Sequence, residues 1–172
     1  MNLKEFFDYK NQFFKDMLTN ETIVKLINED KDLSTAEELA YTQVFPYEYI
    51  PETVEHGHTF ICCDVDVQVP QTRVATSLRL YYKPILYVWV MVHKSKLRLP
   101  TGGVRSDVLC SEIAKAINES LYYGIGGLQL YSVKRFAPMT DYQGKVLTFT
   151  ADDVNWVYDQ NRPVPSNRKK GI

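Results

Sequence analysis

The sequence offers little for a covalent or metal framework. Its 172 residues include three cysteines, Cys62, Cys63 and Cys110. Neighbours in an extended segment point to opposite faces, so Cys62 and Cys63 cannot easily share a ligand. The odd count favours a reducing cytoplasm. No secretory leader is expected either, because MNLKEFFDYKNQFF interrupts its apolar residues with charges. Long hydrophobic runs are also missing: the longest, Ile85 to Val92, has eight residues, far short of a membrane span. Nor is one sign of charge in excess. Twenty basic and 21 acidic side chains leave a net charge of -1, which argues against a generally basic nucleic-acid binder and leaves only local patches.

What the chain does have is an ordinary globular composition, 45% hydrophobic and 24% charged. At this length folding buries about 70% of the extended-chain surface, so neither a metal nor a disulfide is required for stability. Aromatics are the outlier: 12 Tyr, 8 Phe and 2 Trp. Tyr and Trp suit surfaces that become half-buried when chains associate, since each has an apolar body and a polar tip. A Tyr-rich sheet surface is the equal alternative.

Along the chain, Leu3, Phe6, Phe7, Phe14, Met17 and Leu18 recur at near-helical spacing, and Ile23, Val24, Leu26 and Ile27 start a second helix after Thr19-Asn20. Ser34-Thr35-Ala36-Glu37 has capping-box spacing and predicts a third helix from Thr35 to Gln43. Two prolines in Phe45-Pro46-Tyr47-Glu48-Tyr49-Ile50-Pro51 predict an extended, polyproline-like segment. From Phe60 the period becomes two. Ile61, Cys63, Val65, Val67 and Val69 oppose Phe60, Cys62, Asp64, Asp66 and Gln68, the pattern of a half-buried antiparallel strand ended by Pro70.

Residues 71–83 read as a long loop or hairpin tip. Ile85 to His93 is then a strand apolar on both faces, hence central or covered on both sides. Leu109, Ile113, Ala116, Ile117 and Leu121 restore the helical period, with Asp107 near the helix start and Gly124 as the stop. Leu128 to Phe136 and Lys145 to Thr150 predict two strands joined by a long loop from Pro138 to Gly144. The expectation is an α+β domain with a mainly antiparallel sheet of about four strands and a packed helix. It would comprise a helical extension over residues 1–44, the domain over 45–158, and a basic flexible arm over 159–172.

Candidate chemistry is sparse. Asp64 and Asp66, at i and i+2 on one strand face, could hold Mg²⁺ for phosphoryl chemistry, with Lys94, Lys96 and Glu112 in support. The simpler account makes them the solvent face of a strand. His56 and His58 could chelate a metal, but nothing nearby in sequence completes a site, and a polar loop accounts for them. Thr101-Gly102-Gly103 lacks the spacing of a phosphate-binding loop, and no Ser or Cys sits in a nucleophile context. Binding is what remains. Tyr81, Tyr82, Tyr87 and Trp89 lie among Arg73, Arg79, Lys83, Lys94, Lys96 and Arg98. Such a mixture stacks on nucleic acid or makes a protein interface, and the charge balance favours protein.

Several segments resemble structural proteins of tailed bacteriophages, encoded among the head–tail joining genes of phages and prophages of Gram-positive bacteria. They are Phe45-Pro46-Tyr47-Glu48-Tyr49-Ile50-Pro51, Thr59-Phe60-Ile61-Cys62-Cys63-Asp64-Val65-Asp66-Val67, Tyr87-Val88-Trp89-Val90 running to His93-Lys94-Ser95, and Gly102-Gly103-Val104-Arg105-Ser106-Asp107. Gly124-Ile125-Gly126, Ser132-Val133-Lys134-Arg135-Phe136 and Asp141-Tyr142-Gln143-Gly144-Lys145-Val146-Leu147 continue the series. Together they run from Phe45 to Asn155, and the first forty-odd residues show little of the likeness.

The resemblance, with an element order similar to that of the tail terminator (tail completion) fold, implies a non-enzymatic ring, usually a hexamer. Such a ring caps the head-proximal end of the tail tube. Its implied partners are copies of itself, the tail tube protein and a neck or head-completion protein, with a tail sheath as a further candidate. DNA passes only as cargo, and neither a membrane nor a cofactor is involved. The implied location is the virion tail or neck, after assembly in the host cytoplasm. Arg73, Arg79, Tyr81, Tyr82, Tyr87, Trp89 and Arg98 are the expected interface residues. Another head–tail connector component, or a Mg²⁺-dependent nuclease using Asp64 and Asp66, are the alternatives.

Overall fold

Two segments form the centre of the sheet: the alternating run after Gly57 and the doubly apolar run around Ile85. The computed structural model describes residues 3–28, 36–50, 57–68, 81–118, 123, 128–150 and 155–156. Its strands are β1 (Val44–Phe45), β2 (Thr59–Gln68), β3 (Tyr81–His93), β4 (Gln129–Met139), β5 (Tyr142–Thr150) and β6 (Asn155–Trp156). The sheet order is β1-β2-β3-β5-β4, with β6 pairing the start of β3. Only β1 runs parallel to its neighbour. The helices are α1 (Leu3–Thr19), α2 (Glu21–Asn28), α3 (Ala36–Leu39) and α4 (Arg105–Asn118). The architecture is α+β, as expected, with four long strands and two short ones.

One apolar core joins the helices to one sheet face. From the sheet come Ile61, Cys63 and Val65 of β2, Leu86, Val88, Val90 and Val92 of β3, and Leu147 and Phe149 of β5. From the helices come Tyr9, Phe13, Met17, Ile23, Ile27, Leu109, Ile113 and Ile117. Each large side chain buried here contributes roughly 1.5–3 kcal/mol. The doubly apolar strand is central, with β2 on one side and β5 on the other. On α1 the buried stripe is Tyr9-Phe13-Met17, four residues apart, flanked by half-buried Phe14 and Leu18. Met17, Phe14 and Leu18 are thus placed as expected, Tyr9 and Phe13 join them on the same side, and the side chains of Leu3, Phe6 and Phe7 lie outside the described residues.

Polar groups fix the helix ends. Asn20 caps α2, its Oδ1 accepting from the amides of Thr22 and Ile23 at 3.1 and 3.2 Å. Arg105, buried at the start of α4, donates from Nη1 to the Leu26 carbonyl (2.6 Å) and from Nε to the Lys96 carbonyl (2.9 Å). A cation at the last turn of α2 suits the negative end of its dipole.

Four expectations need correction. The third helix covers only Ala36–Leu39. Tyr41 takes a positive φ of 60°, and the Ala40–Val44 bridge closes a turn that turns the chain into β1. The segment after Val44 is not extended throughout: the Phe45 and Tyr49 rings stack at 4.1 Å, 14° from parallel, so the chain folds back within four residues. β3 begins at Tyr81, not after Pro84. Pro84 is paired with Val67 and lies between the last β5 partner, at Ile85, and the first β6 partner, at Tyr82. A residue without an amide proton is tolerated at such a gap in the ladder.

The predicted long hairpin loop is, finally, a two-residue turn, Thr140-Asp141, with Met139 paired to Tyr142. The expected breakers sit inside strands. Pro138 lies at a register shift on the outer strand β4. Gly144 lets β5 pass β3, since a Cβ there would stand 1.7 Å from the Val90 carbonyl oxygen. The expected cap at Ser34-Thr35, the loop residues 71–80, the stop at Gly124 and the arm over 159–172 lie outside the described residues.

Candidate functional site

The helices cover one face of the sheet, and the other is only partly covered. Strand pairing sets Phe60, Cys62, Asp64 and Asp66 of β2 in rows with Met91, Trp89, Tyr87 and Ile85 of β3. The rows continue through Gly144, Val146, Thr148 and Thr150 of β5 to Phe136, Lys134, Ser132 and Gln129 of β4. At one end this face carries a second small core of Phe45, Phe60, Cys62, Met91 and Tyr142, with Tyr49, Phe136 and Met139 packed around it. The β2 face expected to meet solvent is therefore buried at Phe60 and Cys62, because Phe45 and Tyr49 fold over it. Beside this core, among the described residues, the face is only half-covered at Trp89, which packs against the core, and at Tyr87, which stacks on Trp89 at 5.9 Å. Ile85 and Thr150 in the next row are buried again.

The remaining predicted interface residues disperse. Tyr81 and Tyr82 pair with Trp156 and Asn155 at the opposite end of β3 from His93. Arg98 is exposed past the His93 end, in the turn bridged by Arg98 and Val104. Arg73 and Arg79 lie outside the described residues. Lys94 pairs with Asp141. Of the basic-aromatic cluster the structure brings together Tyr87 and Trp89.

The acidic pair is likewise on the half-covered face. Asp66 is exposed, while Asp64 Oδ1 accepts from Lys10 Nζ at 3.0 Å and from the Val65 amide at 2.8 Å. Asp64 thus already has a cation, and it blunts a strand edge by occupying a backbone donor. Glu112 is on α4, which packs on the other face. Among the described residues no three His, Cys, Asp or Glu side chains gather into a metal-binding group. Lys10 was not foreseen, since 54 residues separate it from Asp64.

Histidines distant in sequence do meet. The His93 amide donates to the His58 carbonyl at 3.3 Å, and the Tyr142 ring stands edge-on to His93 at 5.3 Å. Ser95 donates its amide to His93 Nδ1 (3.3 Å), with its hydroxyl at 2.7 Å from the same atom. Accepting at Nδ1 places the ring proton on Nε2, which is buried without a partner among the described residues. His56 lies outside those residues. Gly57 packs on the same ring, where a Cβ would stand 2.7 Å from Nδ1. In the Thr101-Gly102-Gly103 turn the Leu99 and Gly102 amides donate to the Gly103 and Leu99 carbonyls, so neither is turned to an anion.

The thiols are no better suited to catalysis. Burial pushes Cys62 up to about 12 and pushes Cys110 to about 12 as well. Cys63, pointing into the main core as alternation required, is also raised by burial, although Lys10 acts in the opposite sense. A protonated, enclosed thiol is a packing group.

The molecule so described is an α+β domain with helices on one sheet face and an aromatic, partly open surface on the other. Residues 20–151 match the model of the YomW family, and the chain belongs to that phage-related family. The fold is also similar to that of a chain in the virion of a native gene transfer agent particle. That alignment covers 81% of this chain and 89% of the other, with 13% identity and a TM-score of 0.50, a likeness of fold alone. No curated protein matches the sequence.

Proposed function

We propose that this chain is a structural protein of a tailed-phage particle. In this reading it forms a ring that caps the head-proximal end of the tail tube, ends tube growth and joins tail to head. The observation that carries the reading is the shared fold with a virion chain over most of both molecules, and membership of a phage-related family agrees with it. A ring of this kind works by surface. Its contact with the tube covers the growing end and presents a different face to the neck, and no bond is made or broken. The half-covered sheet face, with Tyr87 stacked on Trp89, offers the apolar-plus-polar area that protein partners use. Buried, protonated thiols and an Asp64 already paired with Lys10 fit a protein without a catalytic centre. The N-terminal helices and the basic C-terminal residues are proposed to contribute docking contacts.

Removing the gene from its phage or prophage genome and imaging the products tests the role. Tails that lose their upper length limit are expected. Tails of normal length with heads attached would overturn it, and headless tails of normal length would assign the protein to the head side of the joint.

A further inference from the structure

Charge is sorted by sign across the sheet. β2 carries Asp64 and Asp66 and no base, whereas β4 carries Lys134 and Arg135 and no acid. Both are outer strands. β4 ends the sheet, and β1 covers β2 only at Ile61 and Cys62, so among the described residues nothing pairs with the outer side of β2 from Cys63 onward. Three strand spacings separate the two flanks, about 14 Å. Pairing puts Lys134 on the same face as the two acids, in the Cys62–Trp89–Val146 row beside the Asp64–Tyr87–Thr148 row.

Asp64 is held by Lys10. The other charges, Asp66, Lys134 and Arg135, are exposed and enter no ion pair among the described residues. Arg135 lies across from Lys145, whose ammonium is held by Asp107 at 2.8 Å. Beside the two bases β4 exposes Tyr131 (76%) and Val133 (45%), large apolar groups for an outer strand. Direct strand-to-strand addition is not what these flanks invite. Asp64 blocks the Val65 amide on one, while two register shifts and Pro138 interrupt the other. The contact they suit is made by side chains.

Edge to edge, a two-fold axis would set acid against acid or base against base. A head-to-tail arrangement sets them opposite each other, and such an interface closes into a ring when the rotation fits. We infer that the β2 flank of one copy, through Asp66, docks on the β4 flank of the next, through Lys134 and Arg135, with Tyr131 and Val133 buried beside the charges. This rests on the ring proposed above and identifies its subunit contact.

The test uses the full chain and two charge reversals, Asp66→Lys on the acid flank and Lys134→Glu with Arg135→Glu on the basic flank. Sedimentation and native mass spectrometry read the assembly state, and circular dichroism verifies that each variant is folded. The wild type is expected to assemble, less so at high salt. Each variant alone should self-associate about tenfold more weakly or worse, because like charges then face each other. Mixing the two variants should restore assembly with both chains in equal number. A wild type that stays monomeric overturns the ring reading and this contact with it. A wild-type oligomer that the reversals leave intact, or folded variants that fail to rescue each other, overturns the flank assignment alone.

Discussion

Tyr123 donates its hydroxyl proton to Asp16 Oδ2 at 2.7 Å, joining α1 to a point 107 residues later in the chain. The tyrosine is buried against Tyr9, 6.1 Å between ring centroids, and the other Asp16 oxygen accepts from Gln12 at 2.7 Å. Replacing Tyr123 by Phe keeps the ring and leaves the carboxylate short of one partner. A loss of about 1–3 kcal/mol is expected, the cost of an unpaired, partly buried polar group. Urea unfolding should show a lower midpoint with an unchanged slope, whereas an unchanged midpoint would mean water replaces the hydroxyl at no cost.

Alkali should destabilise the fold through the thiols. Cys62, Cys63 and Cys110 hold their protons in the folded chain well above the ordinary thiol value of 9.0, and Tyr123 does so above 10.0 through burial and its bond to Asp16. The unfolded chain loses those protons first. The contribution is therefore complete below pH about 9 and is lost as pH rises from there towards the folded values. Each thiol should add a slope of about 1.4 kcal/mol per pH unit in that window. Denaturation midpoints across the alkaline range measure it, and a thiol reagent should modify native protein only as fast as it unfolds. Prompt labelling of native protein, or a level midpoint, would show that the thiols are solvated.

Gly144→Ala should be among the costliest small substitutions. Its Cβ would collide with the backbone oxygen of Val90 in the central strand, which cannot swing aside as a side chain could. A loss of about 3 kcal/mol or more is expected, or failure to fold. Gly102→Ala is the control: nothing stands within 4 Å, but φ is +92°, so the cost should be roughly 1–2 kcal/mol of backbone strain. Thermal unfolding of the two variants side by side checks the order.

Where burial follows local alternation, the fold could be read from the sequence. Ile61, Cys63 and Val65 face one way because the strand period is two, and Leu109, Ile113 and Ile117 because the helix period is 3.6. Breakers misled where tertiary context excused them. Pro84 sits in a gap between two partner strands, Pro138 at a register shift on an outer strand, and Gly144 under a neighbouring backbone. The pairs Lys10–Asp64 and Tyr123–Asp16 depend on elements far apart in the chain, which composition and period cannot specify. Tyr87 and Trp89 were legible as binding candidates by residue type, aromatics among basic side chains, whereas alternation left both faces of their strand apolar. The sign sorting of β2 and β4 is visible in the sequence too, but its meaning required the strand order.

That strand order also separates two kinds of contact. If the flanks join copies, the half-covered face between them is left for other parts of the particle, and Tyr87 is the residue to alter. It is half-buried, stacks on Trp89 and lies outside both apolar cores, so Tyr87→Ser should cost stability only about 1 kcal/mol. The variant should assemble like the wild type in sedimentation yet bind purified tail tubes about tenfold more weakly, as expected on truncating an aromatic anchor. Loss of self-assembly with tube binding intact would exchange the roles of face and flank. Undiminished binding to both would remove the half-covered face from the interface.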